Sequence, residues 1–256
     1  MTKYRFFIKN IDPAAGKVVF PDDIGHQIRH VLRLQPGNTV TVLDGEGLAY
    51  YACLDEYSDA HVSAEIIKAG EKTRALPVDI TLFFPLSRRE KIEWILQKAT
   101  EVGVSAFQPF ICARSLVRDT NLSSRKNQRW QAIIREAAEQ SGRALLPQLM
   151  QPEKMDAILS SSTKSLNMDI VMAAAVSEKD QGLHALLEGL QVQDKRPTVG
   201  LFIGAEGGFS IQELQAFEDA HVHKVSLGRT ILRMETAAIV FPALVMNHFI
   251  ELVRLK

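Results

Sequence analysis

Cysteine is nearly missing from this 256-residue chain: Cys53 and Cys112 are the whole complement. Two thiols so far apart match no metal-ligand spacing, so no metal is expected. They read as buried, reduced thiols of a cytoplasmic protein. Excess charge of either sign is also lacking. Thirty Lys and Arg balance thirty Asp and Glu, a sum that by itself does not favour a nucleic-acid partner. No apolar run is expected to reach the length needed to span a bilayer, and the start of the chain lacks the charged-then-apolar pattern of a signal peptide. No membrane partner is therefore expected. No G-x-G-x-x-G follows an early strand and no P-loop is present, which argues against the usual dinucleotide and nucleoside-triphosphate sites. There are no internal repeats. The 46% apolar and 23% charged residues that remain are the composition of a globular protein.

Charge is unevenly distributed. Between Leu86 and Leu145 stand eleven lysines and arginines against six acidic residues. A local surplus can bind phosphates where the whole-chain sum cannot. It is equally what a solvated surface carries.

Residues 1–72 read as a small β-rich domain. Strands are expected at Tyr4–Ile8, Lys17–Phe20, Thr39–Leu43, Leu48–Leu54 and His61–Ile67. Asp44-Gly45-Glu46-Gly47 is a hairpin turn. Asp22–Leu34 reads as a helix with Ile24, Ile28, Val31 and Leu32 on its apolar face. His26, Arg29, His30 and Arg33 recur at three- and four-residue steps and form a basic stripe. Such a stripe can lie along RNA or simply face water. Glu71–Pro77 is polar and ends at proline, a linker.

From 78 onward strands and helices alternate, which predicts a parallel sheet within a second domain, 73–256. The expected order begins with strand Val78–Phe84, a helix to Val102 capped by Gly103, strand Phe107–Ile111 and a helix from Ser123 or Ser124 to Gly142. Leu145–Lys164, with its prolines and Ser-Ser-Ser-Thr run, is a connection with a short helix at most. Strand Asp169–Ala173, helix Gly182–Leu190, strand Val199–Ile203, helix Ile211–Ala220, strand Lys224–Leu227 and a last helix from Glu235 follow. That last helix is apolar nearly all round, so something covers it: a second subunit or the rest of its own chain. Pro242 is expected to bend it.

Two blocks near the end carry the chemistry. Phe202-Ile203-Gly204-Ala205-Glu206-Gly207-Gly208-Phe209-Ser210 is an apolar run that breaks into glycines. Ser210 and Glu213 then form a capping box. Leu227-Gly228-Arg229-Thr230-Ile231-Leu232-Arg233-Met234-Glu235-Thr236-Ala237-Ala238 repeats the design. Glycine after a strand lets the backbone turn sharply and approach a ligand, at the strand ends where α/β sheets build pockets.

These blocks resemble the SPOUT (trefoil-knotted) RNA methyltransferases. The similarity is greatest to the branch that methylates N3 of a uridine in 16S ribosomal RNA, with its G-P-E-G-G-F-S and L-G-x-x-I-L-R-x-E-T-A patterns. Ala205 stands where proline is usual and Met234 where threonine is common. His30-Val31-Leu32-Arg33, Gln97–Val104, Arg129-Trp130 and Glu136–Arg143 match further blocks of that family in order along the chain. The resemblance implies a knotted C-terminal methyltransferase domain, a PUA-like N-terminal β-barrel, S-adenosylmethionine as cofactor and a homodimer. It also implies 16S rRNA, or the assembled small ribosomal subunit, as partner.

It points as well to site residues. Ile203, Gly204, Glu206, Gly207, Gly208, Leu227, Gly228, Ile231, Leu232, Glu235 and Thr236 would hold the cofactor. His30, Arg33, Arg29, Lys91 and Arg114 would touch RNA, and Arg233, Arg114 and Glu136 would serve the reaction. Uridine N3 must lose a proton, so either a base or cations that stabilise the anion are needed. The residues leave that choice open. Glu206 could equally brace its loop, Glu235 cap the last helix, and Glu136 pair along a helix surface. Three other functions remain open: a nucleotide- or NAD-dependent enzyme on an α/β sheet, a non-catalytic RNA-binding assembly factor, and the same chemistry on tRNA or another base.

Overall fold

In the computed structural model, residues 4–9, 11–55, 57, 61–70, 72, 75–160, 168–175, 181–189 and 196–254 are described. Parts of three expected segments lie outside them: Glu71, Thr73 and Arg74 of the linker, Ser161–Thr163 of the serine run, and Leu190 at a helix end. The chain forms two compact units, Met1–Ala75 with Ala138–Leu146, and Leu76–Ala137 with Pro147–Lys256.

The first unit contains β1 (Arg5–Phe7), a 3-10 turn at Pro13–Ala15, β2 (Lys17–Phe20), α1 (Asp22–His26), β3 (Thr39–Leu43), β4 (Ala49–Leu54) and β5 (Val62–Ala69). The five strands make one sheet in the order β1-β3-β4-β5-β2, with β1 parallel to β3 and the other pairs antiparallel. The β3–β4 turn is closed by the Asp44 carboxylate, which accepts from Glu46 N at 2.7 Å and Leu48 N at 3.0 Å. Ala138–Leu146 joins this unit although it lies far beyond residue 72. Ala138 and Ala144 pack with Phe7 and Leu43, and Glu139 accepts from Phe7 N at 2.9 Å. A division read along the sequence cannot register such a return.

The expected helix Asp22–Leu34 is different in detail. α1 ends at His26 and the chain continues as a π-helical turn over Gln27–Val31, with Leu32 N donating to Gln27 O at 2.8 Å. The wider turn breaks the 3.6-residue period on which the two stripes rested. Val31, expected on the apolar face, is 66% exposed. Arg29 leaves the basic stripe: it lies over the Tyr57 ring and donates to His61 O at 2.9 Å. His26 and His30 stay exposed, their rings 4.7 Å apart, and Arg33 is exposed at φ +51°.

The second unit begins with β6 (Asp79–Pro85), α2 (Arg89–Val102), β7 (Ala106–Ile111) and α3 (Ser124–Ser141), whose last turn belongs to the first unit. The short β8 (Gln148–Leu149), β9 (Glu153–Lys154) and α4 (Met155–Ser160) come next. Then come β10 (Ile170–Ala174), β11 (Gln181–Gly182), α5 (Leu183–Glu188), β12 (Thr198–Ile203), α6 (Ile211–Asp219), β13 (His223–Ser226) and α7 (Met234–Arg254). The strands form an all-parallel sheet in the order β11-β13-β10-β12-β6-β7-β8, with β9 also on β7. This is the α/β fold expected from the alternation of strands and helices.

Two cores flank this sheet. Leu82, Phe84, Ile95, Leu96, Leu201 and Phe241 belong to one, and Phe83, Phe110, Phe202 and Phe217 to the other. Neighbours along a strand turn to opposite faces, so each strand feeds both. α2 buries Ile92, Ile95, Leu96 and Ala99, then stops at Gly103, whose φ of +119° suits glycine.

α7 is apolar nearly all round, as expected, but it corrects the expectation that no apolar run reaches the length of a bilayer. It has 21 residues and a mean hydropathy of 1.6, enough to cross a membrane by length and composition alone. In the fold it packs on α2, β6 and β12 and buries Met234, Ala237, Ala238, Phe241, Pro242, Val245, Met246 and Phe249. Its continuous helical run includes Pro242.

One ion-pair network joins α2 to α3. Glu93 accepts from Arg89 Nε at 2.7 Å and Arg129 Nη2 at 2.9 Å. The Arg129 hydrogen bond, above all, lowers its carboxyl from 4.5 to about 2. A depressed carboxyl stabilises the fold above its unfolded value and loses that contribution as pH falls. The stability difference between wild type and Glu93→Gln should therefore vanish between pH 4.5 and 2. Because the arginines are largely exposed, the plateau is expected at only about 1 kcal/mol and should shrink in salt. Urea midpoints across that range test this, and a pH-independent difference would contradict it.

Candidate functional site: a glycine-walled cavity at the strand ends

The ends of β10 and β12, Lys224 of β13 and the first turns of α2 and α7 border a cavity of about 800 Å³. Its floor is apolar, with Ile203, Phe209, Leu214, Leu232 and Ala237. One wall is the turn Gly204–Gly208. Gly208 N donates to Ala205 O at 2.8 Å and Gly208 sits at φ +71°, a conformation strained for other residues. Ala205 contributes a carbonyl to this turn, which proline would supply equally well, so its departure from the family pattern costs the turn nothing. Ser210 then caps α6 in the expected capping box with Glu213.

Charged groups stand around this frame. Lys91, in the first turn of α2, reaches Glu206 at 2.6 Å and Glu235 at 3.3 Å. One ammonium thus ties together three elements distant in sequence. The Lys91 hydrogen bond holds the Glu206 carboxyl below its usual range, and the same bond raises the lysine. Both are charged at neutral pH. Arg233 precedes α7, lines the cavity and is exposed. Its carbonyl accepts from Ala237 N at 2.8 Å, so its side chain stands at the positive end of the helix dipole.

Of the residues expected to hold a cofactor, Ile203, Gly204, Glu206, Gly207, Gly208, Ile231 and Leu232 line the cavity. Leu227, Gly228, Glu235 and Thr236 do not. Leu227 lines a separate groove of about 390 Å³ with Leu183, Leu244 and His248. Gly228 turns away at φ +138°, Thr236 is exposed, and Glu235 is linked to the cavity through Lys91.

Lys91, expected to contact RNA, lines the cavity. Arg114 donates to the Gly207 carbonyl, bracing the wall from behind. Glu136 is exposed on α3, outside the cavity lining, and its charge acts on Arg129. His30, Arg33 and Arg29 belong to the first unit. Ala174, Ala175, Lys224, Met234 and Ala237 line the cavity without having been foreseen. Ala174 ends β10 and Ala175 follows it, a position that marked the other walls. No cluster of three or more metal-ligating side chains occurs among the described residues.

Comparison with known proteins bears on this geometry. The family model described as RNA methyltransferase domain matches residues 74–246. "Ribosomal RNA small subunit methyltransferase E" of Bacillus subtilis is 30% identical over 239 residues, 91% of this chain and 92% of its own. The Synechocystis protein of the same name is 32% identical over 83% of this chain and 67% of its own length. A crystal structure of the Neisseria gonorrhoeae protein of that name, bound to S-adenosyl methionine, has a TM-score of 0.82 at 29% identity. The match covers 96% of this chain and 97% of that one. With the model spanning most of its length, including every wall of the cavity, this chain belongs to the RNA methyltransferase domain family.

Proposed function

We propose that this protein methylates N3 of a uridine in 16S rRNA of the small ribosomal subunit, with S-adenosylmethionine as methyl donor. The carrying observation is the glycine-walled cavity with Arg233 at its edge, in a chain that aligns nearly end to end with small-subunit rRNA methyltransferases.

The residues suit the donor. The volume falls in the range of small-molecule sites. Ile203, Leu232 and Ala237 offer apolar surface for a purine, and the Gly204–Gly208 backbone offers close polar groups. When bound, S-adenosylmethionine supplies a methyl group on a cationic sulfur. The chain's own task is alignment and charge. Arg233 and the N-terminal end of α7 stabilise the negative charge that develops on the uracil as N3 loses its proton. Glu206, held ionised by Lys91, is a weaker base than an ordinary carboxylate. Cationic stabilisation is thus favoured over proton abstraction by Glu206.

The first unit is proposed as the PUA-like barrel, with exposed His26, His30 and Arg33 meeting RNA. The C-terminal unit, whose strand order returns the chain to the middle of the sheet, is proposed as the knotted domain. A homodimer through α7 is also proposed. Only 39% of its apolar window is buried by its own chain, and Leu244 and Val253 remain exposed. Sedimentation as a monomer at micromolar concentration would contradict it. A ribosomal target implies a cytoplasmic location.

Nucleoside mass spectrometry of small-subunit rRNA from cells lacking the gene tests the function. 3-Methyluridine should be missing and should return when the purified protein and S-adenosylmethionine are added to those subunits. Its presence without the gene, with nothing added by the protein, would remove this target and direct the search to tRNA.

A further inference from the structure

Among the described acidic residues Glu213 is the buried one, 6% exposed. Its partners are backbone amides. Oε2 accepts from Ser210 N at 2.7 Å while Ser210 Oγ accepts from Glu213 N at 3.2 Å, which completes the capping box. Oε1 does something a cap does not require. It accepts, at 2.7 Å, from the amide of Ala113, 100 positions away in the loop after β7. A buried carboxylate is costly unless its oxygens are hydrogen-bonded, so both bonds are strongly held.

The next residue after Ala113 is Arg114. Its guanidinium donates to Gly207 O, and its stem lies so close that a Cβ on Gly207 would fall 3.1 Å from Arg114 Cδ. The loop is otherwise stiff: buried Ser115 Oγ accepts from Cys112 N at 3.0 Å, and Ser115 N donates to Cys112 O at 3.1 Å. The loop after β7 is therefore joined at two points to the segment that follows β12, at Gly207 in its loop and at Glu213 in α6, and β6 separates the two strands in the sheet. Glu213 makes the buried joint and Arg114 the exposed one.

We infer that Glu213 is a positioning residue for the cavity: through Ala113 it holds Arg114 on Gly207 and so keeps the Gly204–Gly208 wall in place. As a statement about donor affinity, this rests on the cavity being the S-adenosylmethionine site. As a statement about the wall, it stands alone.

The test is a double-mutant cycle with two readouts, hydrogen exchange of the Gly204–Gly208 amides in ligand-free protein and S-adenosylmethionine affinity by calorimetry. Glu213→Gln places an amide NH2 where one acceptor is needed. Loss of one charge-assisted hydrogen bond corresponds to about tenfold in either readout. Arg114→Ala should act similarly, and the double variant should be little worse than either single one. Ser210→Ala is the control for a merely structural role. It removes the hydroxyl half of the cap and should lower the melting temperature, yet leave wall exchange and donor affinity near wild type.

Should Glu213→Gln fail to fold, Ala113→Pro deletes the same bond from the other side with the cap intact. Wild-type exchange in the glutamine or proline variant, fully additive effects, or equal damage from Ser210→Ala would each overturn the inference. Wild-type protein that binds no S-adenosylmethionine would overturn the proposed function, while exchange would still decide the role of Glu213.

Discussion

Arg233→Ala is expected to slow methyl transfer to small-subunit RNA by roughly 100- to 1,000-fold, the usual cost of removing one preorganised group that stabilises developing negative charge. The side chain stands on the cavity wall at the start of α7, where helix dipole and guanidinium act in the same sense. The loss should fall on the single-turnover rate at saturating donor. Donor affinity should change by only a few-fold, because the apolar floor and glycine wall remain. If Arg233 acts on the uracil anion, the deficit should shrink as pH rises towards the ionisation of the base itself. Arg233→Lys should recover part of the rate, since charge is kept while the planar fork is lost. An unchanged single-turnover rate in Arg233→Ala would exclude this residue from the chemical step. Unchanged cellular function with no methylation at all would favour a non-catalytic assembly role.

Phe202→Ala should destabilise the protein by about 3–5 kcal/mol, the range for emptying a fully buried aromatic position. Phe202 lies on β12 immediately before Ile203 and Gly204. Its ring stacks on Phe83 at 4.2 Å and meets Phe217 at 5.2 Å and Phe110 at 5.8 Å. These side chains come from β6, β7, β12 and α6, so the cluster joins the strand under the cavity to three neighbours. Truncation forfeits the ring contacts and leaves a void that the sheet can only partly close. Phe202→Leu fills more of the space and should cost less. Urea unfolding followed by circular dichroism measures both. A loss below about 1 kcal/mol for alanine would mean that the cluster repacks and the site rests on other contacts.

Particular residues show where sequence reading succeeds. Ser210 and Glu213 announced a capping box three residues apart, and the box is there. Gly103 announced the end of α2 and sits in the left-handed region. Lys17–Phe20 and Thr39–Leu43 are strands with the expected limits. Each of these rests on neighbours within a few positions. The reading of Asp22–Leu34 went astray for the same reason in reverse. It assumed one helical period, and a π-helical turn changed the period halfway. Glu136, placed near the chemistry by resemblance, is an exposed residue of α3 that does not line the cavity.

By itself the sequence determined the alternation of strands and helices, the parallel sheet it implies, and the two glycine-broken blocks that wall the cavity. Spacing and turn chemistry act locally, and they are written in adjacent residues. The tertiary structure alone decided what those walls are fastened to. Lys91 meets Glu206 across 115 positions, Ala113 meets Glu213 across 100, and Arg114 meets Gly207 across 93. No local pattern marks these partners. They meet because parallel strands carry the loops that follow them to one edge of the sheet, where side chains from distant segments come within hydrogen-bonding reach.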